Sequence, residues 1–517
     1  MKRPLALSGP MGVGKTSVGR CVAELSSLPF IDVDNEIARE MGRSVAEAFR
    51  IDGEAAFRAR ERATIARLVR GAPSVLALGG GAVVDDGTRR TLLDRAVLVT
   101  LDAPVEDLVA RLGPEQIANR PLLAGGEPEA RLRAILHARS GAYAEAHARI
   151  ATRGRPIDDV AADVMKVWTR DPVAVPLGER TYRVEVGSGV RAQLTAVLHE
   201  LGGDVLLVTD DQVWPAVEER FRDVLTHARV AASVILPHGE AHKTLDSVRQ
   251  LWDAALEAGL DRRAVILAIG GGVVGDLAGF AAATLLRGVR FVQVPTTLLA
   301  MVDASVGGKT AIDRPQGKNL IGAFHQPSAV IADVDLLATL PPRELRSGFA
   351  EVVKTALIGD RALFEHLEST PEPDLTTVIR ASIACKARVV SEDERDLTGA
   401  RAALNFGHTV GHALESHGGY SEWTHGEAVA LGTIAALRVG VARGITPPEL
   451  LDRARVLLER LGLPVDLDST PLAEALPRIN ADKKREGSTI GFVLLEDLGR
   501  VRIERLTLDE IRAALLG

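Results

Sequence analysis

The sequence has little cysteine and few aromatic residues. Only Cys21 and Cys385 occur among 517 residues, and Phe, Trp and Tyr together make up 3% of the chain. Two cysteines so far apart exclude a disulfide framework and a zinc ribbon, since both need several thiols at short spacing. We expect both to be small buried residues in a reducing compartment. Because aromatics are scarce, the cores must pack mainly through alanine, valine and leucine.

Long apolar runs and an excess of positive charge are also missing. No run approaches the ~20 apolar residues that a membrane-spanning helix needs. The N-terminal stretch MKRPLALSGP is broken at Ser8, Gly9 and Pro10, unlike a signal peptide. A formal net charge of −7 argues against a general surface for nucleic acid or anionic membranes. We therefore expect a cytoplasmic protein that binds neither nucleic acid nor membranes.

Alternating strand and helix patterns indicate an α/β protein. Its length suggests roughly three domains of ~150 residues. Prolines and a glycine interrupt the pattern near residues 168–182, and helical patterns dominate after about residue 335. We place the domains at 1–168, 173–335 and 336–517, the first with an open parallel sheet and the last mostly helical. Strands are predicted within 4–9, 74–81, 96–104, 181–189, 204–211, 230–237, 264–272 and 290–297, and the stretch TIGFVLLEDLGRVRIERL is the exception to the helical pattern after residue 335.

The segment GPMGVGKTS follows the first predicted strand and opens a helix. Residues Gly9 to Thr16 match the pattern G-x-x-x-x-G-K-[ST], in which glycines let backbone N–H groups face phosphates. Lys15 can reach the β and γ phosphate oxygens of ATP, and Thr16 can hold Mg²⁺. The ATP-binding residues predicted from this loop are Gly12, Val13, Gly14, Lys15, Thr16 and Ser17.

The stretch FIDVDNEI places two carboxylates, Asp32 and Asp34, at the end of a second predicted strand. We expect them to point to opposite sides of the strand end, so that one serves Mg²⁺ and the other an acceptor hydroxyl. Helix capping before NEIAREMG is the alternative role for such a pair.

With the motifs GEAAFRARE, LGGGAVV, NRPLL and HARSGAY in this order, residues 3–168 resemble shikimate kinase. The resemblance implies Mg²⁺ at Thr16 and Asp32, and a mobile lid whose Arg120 contacts ATP during phosphoryl transfer. It implies that two arginines pair with the carboxylate of shikimate. The implied catalytic residues are Lys15, Asp34 and Arg120. The implied shikimate-binding residues are Asp34, Arg58, Gly80, Gly81 and Arg139.

The segment AIGGGVVGDLAGF follows another predicted strand and contains the pattern G-x-G-x-x-G at Gly270, Gly272 and Gly275. The pyrophosphate of a dinucleotide would fit the N-terminus of the following helix. The acidic residue expected about 20 positions later is absent, so Asp210, after the strand LLVT, is a candidate for binding the ribose. SVGGKT is not a second P-loop, because Asp303 stands where the first glycine is required.

Four of the twelve histidines lie between residues 408 and 425. His408 and His412 are spaced i, i+4 on one face of a predicted helix, and this spacing alone makes both candidate metal ligands. His425 follows one loop later. The glutamate of H-E-x-x-H is absent, which excludes that metalloprotease motif. The cluster indicates a metal site or a catalytic site.

A longer series of motifs indicates the roles of these histidines. GEAHK, GGGVVGDLAGF, VPTTLLAMVDASVGGKTAID, GKNLIGAFHQP, GFAEVVKTALI, ARAALNFGHTVGHALE and HGEAVALG occur in this order. They resemble 3-dehydroquinate synthase, and the resemblance spans about residues 173–517. It implies that Glu351, His408 and His425 bind Zn²⁺ or Co²⁺, with His412 facing the substrate, in place of the pairing that spacing suggests.

The same resemblance implies residues for the substrate and for NAD. Each lysine alone is an ordinary surface residue, but their number in an acidic protein indicates an anion-binding site. Catalytic roles are implied for His412, Lys309 and Arg401. The implied substrate-binding residues are Asp303, Lys309, Asn319, Lys354, Lys386, Arg401, Asn405, His412 and Lys483. The implied NAD-binding residues are Asp210, Glu240, Lys243, Gly271, Gly272, Val273, Gly275, Asp276, Thr296, Thr297, Lys309, Lys318 and Thr339.

Together the two resemblances imply a bifunctional enzyme of the shikimate pathway. A P-loop kinase domain would phosphorylate shikimate with ATP and Mg²⁺. A Rossmann-like NAD domain and a mostly helical metal-binding domain would convert 3-deoxy-arabino-heptulosonate 7-phosphate to 3-dehydroquinate and phosphate. A homodimer through the synthase part is also implied.

Two alternatives stay open at this point. The second half shares its plan with metal-dependent NAD polyol dehydrogenases, although the phosphate-binding lysines and Glu351 speak against that activity. The second alternative is that one half is a degenerate scaffold or a regulatory binding module, but neither half lacks a key residue.

Overall fold

The computed structural model describes residues 2–118, 123, 127–419, 422–481, 485–486 and 489–517. The chain forms two compact units, Met1–Val184 and Glu185–Gly517. The boundary predicted at 335/336 lies inside the second unit and stays a prediction. Among the described residues, no helix combines the length and the apolar character that crossing a lipid bilayer requires.

The first unit is built on a five-stranded sheet in which every pairing is parallel. Parallel strands need crossover connections, which the helices supply. The strands are β1 (Leu5–Ser8), β2 (Phe30–Asp32), β3 (Val75–Ala77), β4 (Val97–Asp102) and β5 (Ala148–Ala151). The helices are α1 (Lys15–Ser26), α2 (Val33–Met41), α3 (Val45–Leu68), α4 (Asp86–Arg95), α5 (Val105–Ala118), α6 (Pro128–Ala144) and α7 (Ile157–Arg170). The strand order is β2-β3-β1-β4-β5.

Consecutive residues of these strands face opposite layers of helices. Leu5 and Leu7 belong to one hydrophobic cluster and Ala6 to the other, as the two-residue period of a strand requires. Both faces of the sheet are therefore covered, and the carboxyl ends of the strands are left to form a ligand site.

The remaining strands form a seven-stranded sheet and two small antiparallel sheets. They are β6 (Val173–Val175), β7 (Tyr182–Gly187), β8 (Val205–Asp210), β9 (Val230–Leu236), β10 (Val265–Gly270), β11 (Arg290–Pro295), β12 (Lys309–Arg314), β13 (Gly317–Phe324), β14 (Ala329–Asp333), β15 (Arg485–Glu486), β16 (Thr489–Asp497) and β17 (Arg500–Thr507). The large sheet has the order β6-β7-β14-β11-β10-β8-β9, and the small ones are β12-β13 and β15-β16-β17. Strand β7 itself crosses the division between the two units.

Helices dominate the second unit after β14. The helices of this unit are α8 (Gln193–Leu201), α9 (Val213–Thr226), α10 (Leu245–Glu257), α11 (Gly272–Thr284), α12 (Pro342–Gly359), α13 (Arg361–Ser369), α14 (Leu375–Glu392), α15 (His408–His417), α16 (His425–Ala442), α17 (Pro448–Arg460), α18 (Leu472–Ala475) and α19 (Leu508–Leu516). Short 3₁₀ turns cover 82–84, 190–192, 240–242, 285–287, 334–339, 400–405 and 476–481, and a π turn covers 300–304.

The predicted α/β fold class is confirmed, with a parallel sheet in the first unit and a mostly helical C-terminal part. The seven-stranded sheet is mixed, because β6 pairs with β7 in the antiparallel direction. Strands β5 and β13 lie outside the predicted set because they lack a continuous buried apolar run. Strand β5 alternates buried and exposed residues over only four positions, and β13 is mostly exposed.

Candidate functional site

The loop after β1 has the geometry of a phosphate cradle. Gly9, Gly12 and Gly14 have φ angles of +132°, +78° and +99°, which glycine adopts without strain. Gly14 is the N-cap residue of α1, so the unpaired N–H groups of the helix start face the loop. Lys15 Nζ donates to the carbonyl oxygens of Gly9 (2.8 Å) and Pro10 (3.0 Å), which places its ammonium group over the cradle.

Thr16 Oγ1 donates to Asp32 Oδ2 (3.2 Å), so the hydroxyl and the carboxylate expected at Mg²⁺ lie side by side. Asp32 also caps α2 by accepting a hydrogen bond from the Asn35 N–H. The strand-end geometry expected for Asp34 is wrong, because β2 ends at Asp32 and Asp34 lies in the first turn of α2. Residues two apart in a strand share a face. The helical turn is what separates the two carboxylates.

The glycine turn Gly79–Gly81, after β3, collects the expected shikimate-binding residues. A Cβ atom on the first glycine would lie 2.6 Å from Asp34 Oδ1, and one on the third would overlap the Arg58 guanidinium. Arg139 Nη1 donates to the carbonyl of the middle glycine at 3.0 Å. One carboxylate and two guanidinium groups therefore surround a turn that has no side chains of its own.

Glu61 joins this group although no sequence pattern singled it out. Its buried carboxylate accepts a hydrogen bond from Arg58 Nη1 (2.6 Å). Its Oε1 atom has no hydrogen-bond partner among the described residues. Burial raises the pKa of Glu61 although Arg58 opposes the shift. The only available signal was its i, i+3 spacing from Arg58 on α3.

The remaining predicted kinase residues are placed as follows. Val13 is buried in the cradle, and Ser17 is exposed in the first turn of α1. Arg120 lies outside the described residues. Arg111, which the sequence patterns do not predict, donates to Thr152 Oγ1 (2.9 Å) and thereby joins α5 to the loop after β5.

The glycine-rich turn after β10 opens α11. Gly271 is the N-cap of the helix, and Gly272 and Val273 are its first residues. A Cβ atom on Gly275 would lie 2.7 Å from Gln293 Oε1, so a larger residue would collide there. The helix start and its small residues leave room for a pyrophosphate.

Neighbouring strands bring polar groups to the same sheet edge. Asp210 ends β8, which pairs with β10, and its Oδ1 atom accepts from the Gln212 N–H (3.0 Å). Thr296 and Thr297 follow β11 on the other side of β10. Thr339 ends a 3₁₀ turn, where its hydroxyl donates to Leu336 O.

Lys243 is the centre of a buried polar network near the start of α11. Its Nζ atom lies 2.6 Å from Asp276 Oδ2 and 4.0 Å from Glu240, and it donates to Asn319 Oδ1. Lys318 also lies near Glu240, at 3.7 Å. Burial raises the pKa of Asp276 to about 6, against the opposing effect of Lys243.

Glu351, His408 and His425 converge from three helices. Glu351 Oε1 lies 3.4 Å from His408 Nε2 and 3.6 Å from His425 Nε2. The three donor atoms are close enough for one metal ion to bind all of them. Both carboxylate oxygens are buried without a well-aligned hydrogen bond within the described part of the chain. The donor set, with Glu351 Oε1 facing both histidines, fits Zn²⁺ or Co²⁺.

Electrostatics favour a cation at this cluster. Burial alone would raise the pKa of Glu351, but Lys354 and His425 lower it to about 2. Burial alone would lower the pKa of His425, but Glu351 and Glu415 raise it to about 10. Positive charge is therefore strongly stabilised between the two carboxylates, and a bound cation would replace the His425 proton.

Glu415 orients His425 from the far side of the ring. Its Oε2 atom lies 3.4 Å from His425 Nδ1, which leaves Nε2 directed at Glu351. His412 is half-exposed and lies 4.0 Å from Glu415 rather than in the Glu351 group. The geometry therefore groups His408 with Glu351 and His425, instead of the His408–His412 pair that helical spacing suggested.

The second unit also contains buried cationic side chains, one of which contacts Glu351 directly. Lys386 Nζ donates to Asp303 Oδ1 (2.7 Å), and Lys354 Nζ contacts Glu351 Oε2. Burial lowers the pKa of Lys386, with Asp303 opposing that shift. Arg401 is buried and donates to Glu394 O (2.8 Å).

Lys309 and Asn405 are more accessible. Lys309 is exposed and pairs with Asp396 at 2.6 Å. Asn405 ends the 3₁₀ turn that leads to His408. Lys483 lies outside the described residues.

Separate family models match the two parts of the chain. The family model described as shikimate kinase matches residues 11–169. The models described as 3-dehydroquinate synthase N-terminal and C-terminal match residues 233–347 and 348–485. The 3-dehydroquinate synthase of Nitrosospira multiformis is 45% identical over 361 residues, which cover 68% of this chain and 97% of the relative.

Solved structures resemble the second unit in fold. A 2-deoxy-scyllo-inosose synthase complexed with carbaglucose-6-phosphate, NAD⁺ and Co²⁺ is 26% identical with a TM-score of 0.58, covering 66% of this chain and 99% of that one. A 2-epi-5-epi-valiolone synthase from Streptomyces hygroscopicus with NAD⁺ and Zn²⁺ bound is 29% identical with a TM-score of 0.57, covering 65% and 96%.

Fold and site thus define a P-loop phosphotransferase module followed by an α/β module with a Glu/His/His cluster that could bind a metal ion. The chain belongs to the 3-dehydroquinate synthase family and carries a shikimate kinase domain ahead of it. It is a bifunctional enzyme of the shikimate pathway, and both predicted resemblances are confirmed. The relatives favour this function over the polyol dehydrogenase alternative.

Proposed function

We propose that the first unit transfers a phosphoryl group from Mg²⁺-bound ATP to shikimate at the edge formed by β1, β2 and β3. Lys15 neutralises the phosphates, and Thr16 with Asp32 holds Mg²⁺. Arg58 and Arg139 bind the shikimate carboxylate, while Asp34 accepts the proton of the reacting hydroxyl. Phosphoryl transfer depends mainly on such positioning and charge neutralisation. In support, all six side chains lie at the cradle or the glycine turn.

We further propose that the second unit converts the heptulosonate phosphate to 3-dehydroquinate beside Glu351, His408 and His425. The glycine turn after β10 would hold NAD, which would supply hydride chemistry, and the Glu351, His408 and His425 group would hold a cation able to polarise a substrate oxygen. Partly buried Asp303 binds substrate hydroxyls, while Lys354 and Lys386 hold the negative charge of the substrate.

Several other side chains complete this proposed site. Arg401 and Asn405 orient the substrate, and accessible Lys309 binds its phosphate. His412 can exchange a proton with the substrate, because its half-exposed ring borders the cluster. Lys243, Asp276 and the glycine turn bind NAD.

The observation that carries this proposal is the convergence of Glu351, His408 and His425 onto one point of the second unit. The test is a paired assay on the full-length protein, measuring ADP formation with shikimate and phosphate release with heptulosonate phosphate. Lys15→Ala should abolish only the first activity, and His408→Ala only the second. Loss of both activities from either change would contradict two independent sites.

We propose that two copies of the chain associate through the synthase part. The hairpin β12–β13 exposes Leu320, Ile321 and Phe324 by 37%, 46% and 45%. These apolar side chains lie on both faces of the hairpin, and a second copy would bury them. Ile321→Ser combined with Phe324→Ser should shift the sedimenting species from dimer to monomer. A monomeric unmodified protein would contradict the proposal.

We also propose a cytoplasmic location. Both cysteines are unpaired, and the two reactions consume ATP and recycle NAD, which are cytoplasmic metabolites. Cell fractionation with an antibody against the chain tests this, and recovery with the membrane fraction would contradict it.

A further inference from the structure

One face of α12 contacts three consecutive residues at the start of α16. Arg343, Ser347 and Glu351 are spaced four residues apart and therefore share that face. Glu351 Oε1 lies 3.6 Å from His425 Nε2. One turn earlier, Ser347 Oγ accepts a hydrogen bond from the Gly426 N–H (3.0 Å). A further turn towards the N-terminus of α12, Arg343 contacts Glu427.

The Arg343–Glu427 contact is a bidentate ion pair. Arg343 Nε donates to Glu427 Oε1 (2.8 Å) and Nη2 to Oε2 (2.7 Å). Nη2 also donates to Glu422 O (3.2 Å), in the segment that leads into α16. A planar guanidinium held by two parallel hydrogen bonds fixes orientation as well as distance.

Glu427 is at the same time a capping residue of α16. Thr424 Oγ1 accepts from the Glu427 N–H (3.3 Å), and Glu427 Oε2 accepts from the Thr424 N–H (2.9 Å). This capping box fixes the turn from which the side chain of His425 projects. Arg343 therefore fixes the carboxylate of Glu427, and Glu427 in turn fixes the backbone turn that carries His425.

Helices α12 and α16 are in direct backbone contact where they cross. A Cβ atom on Gly426 would overlap the carbonyl oxygen of Ser347. Backbone touches backbone here, so a shift of α16 along α12 would break the contacts on either side. The spacing between Glu351 and His425 is thus set by the same crossing.

We propose that Arg343 is a positioning residue for the metal ligand His425, an inference that rests on the proposed metal site. Arg343 acts through Glu427 and the capping box and touches neither metal nor substrate. Its half-exposed side chain contributes little to overall stability. Metal sites tolerate only about 0.5 Å of ligand displacement, so loosening this turn weakens metal binding before it unfolds the helix.

The test measures Co²⁺ binding to full-length Arg343→Met by competition with a chelating dye, together with the visible absorption spectrum of the bound Co²⁺. We expect about 10–100-fold weaker affinity, the range typical of changes behind a metal ligand, and an altered spectrum. Arg343→Lys, with a single charged donor, should fall between wild type and Arg343→Met. ADP formation with shikimate should be unchanged in both variants.

The matched control is Arg453→Met. Arg453 makes the same kind of bidentate pair, with Glu368 at 2.8 and 2.6 Å, but contacts no proposed metal ligand. Its Co²⁺ affinity and spectrum should equal those of wild type. If Arg343→Met unfolds the second unit, Arg343→Lys and Arg453→Lys make the same comparison.

Wild-type affinity in Arg343→Met, or equal losses in the Arg343 and Arg453 variants, would overturn the inference. The proposed metal site fails separately, if wild type binds no Co²⁺ or if His408→Ala binds it as tightly as wild type.

Discussion

At the scale of single residues, the second unit keeps several ionised side chains away from water. Glu351 and Lys354 are 1% and 2% exposed. Burial alone would lower the pKa of Lys354, but Glu351 and Asp303 raise it, so the pair stays ionised. Such an arrangement is stable only while each charge has its partner. The anion-binding character of the site therefore depends on intact pairs rather than on net charge.

Glu415→Gln should weaken metal binding at His425. The neutral amide is a poorer acceptor for the Nδ1 proton, so the ring is less basic and less firmly oriented. We expect about 10–100-fold lower Zn²⁺ affinity in a competition titration. Glu365→Gln, which alters an exposed glutamate on α13, is the control and should bind Zn²⁺ normally. Equal affinity in Glu415→Gln and wild type would remove Glu415 from the site.

Asp276 gives the second unit a specific pH dependence. The pKa of an aspartate is ordinarily 3.8, and burial raises that of Asp276 to about 6 in the folded state. The folded state therefore binds the proton more tightly than the unfolded state does. The resulting stabilisation is complete below about pH 4 and is lost as the pH rises through about 6. It corresponds to on the order of 2–3 kcal/mol.

Calorimetric comparison of wild type with Asp276→Asn tests whether the stability of the second unit falls as the pH rises. Relative to the variant, the wild-type second unit should lose stability between pH 4 and pH 7. Asp246→Asn, at an exposed carboxylate on α10, should show no such trend. A relative gain for wild type with rising pH would reverse the assignment.

At the scale of elements, α15 and α16 cross at glycines. A Cβ atom on Gly432 would overlap the carbonyl oxygen of Gly407, the residue before His408. This close approach brings the helix that begins with His408 against the helix that begins with His425. Crossing geometry therefore decides the distance between two candidate ligands.

Gly432→Ala should separate these helices. We expect a loss of about 1–3 kcal/mol in the stability of the second unit, as for other overpacked cores, with reduced phosphate release. Gly491→Ala is the control, because its Cβ would meet only Ile503 at 3.8 Å. Thermal unfolding and the synthase assay measure both effects. A fully stable and active Gly432→Ala protein would show that the crossing tolerates a methyl group.

At the scale of the whole molecule, the chain contains two compact units with separate cores and chemistries. Metal removal should therefore affect only one activity. Treatment with 1,10-phenanthroline, which prefers transition metals, should abolish phosphate release and leave ADP formation intact in excess Mg²⁺. Added Zn²⁺ or Co²⁺ should restore the synthase. Loss of kinase activity that Zn²⁺ restores would show that the activities share a metal.

Much of this molecule was predictable because its strongest signals are local. The family resemblances, the α/β fold class and the bifunctional activity are confirmed, while the roles of individual site residues stay predictions. Helical spacing paired His408 with His412, since neighbours on one helix are what a sequence shows directly. The packing of α12 instead groups His408 with Glu351. Asp34 was misplaced for a similar reason, because the end of β2 depends on where α2 is capped.

The sequence by itself determined the phosphate cradle, the glycine turns and the family. Each is encoded by short runs of consecutive residues, whose backbone preferences and spacing can be recognised without the structure. Only the tertiary structure decided which distant groups meet: Glu61 beneath the Gly79–Gly81 turn, Glu415 behind His425, and Arg343 against the cap of α16. Such contacts arise where helices and strands cross. The crossing depends on how whole side-chain surfaces fit together, which no short pattern records.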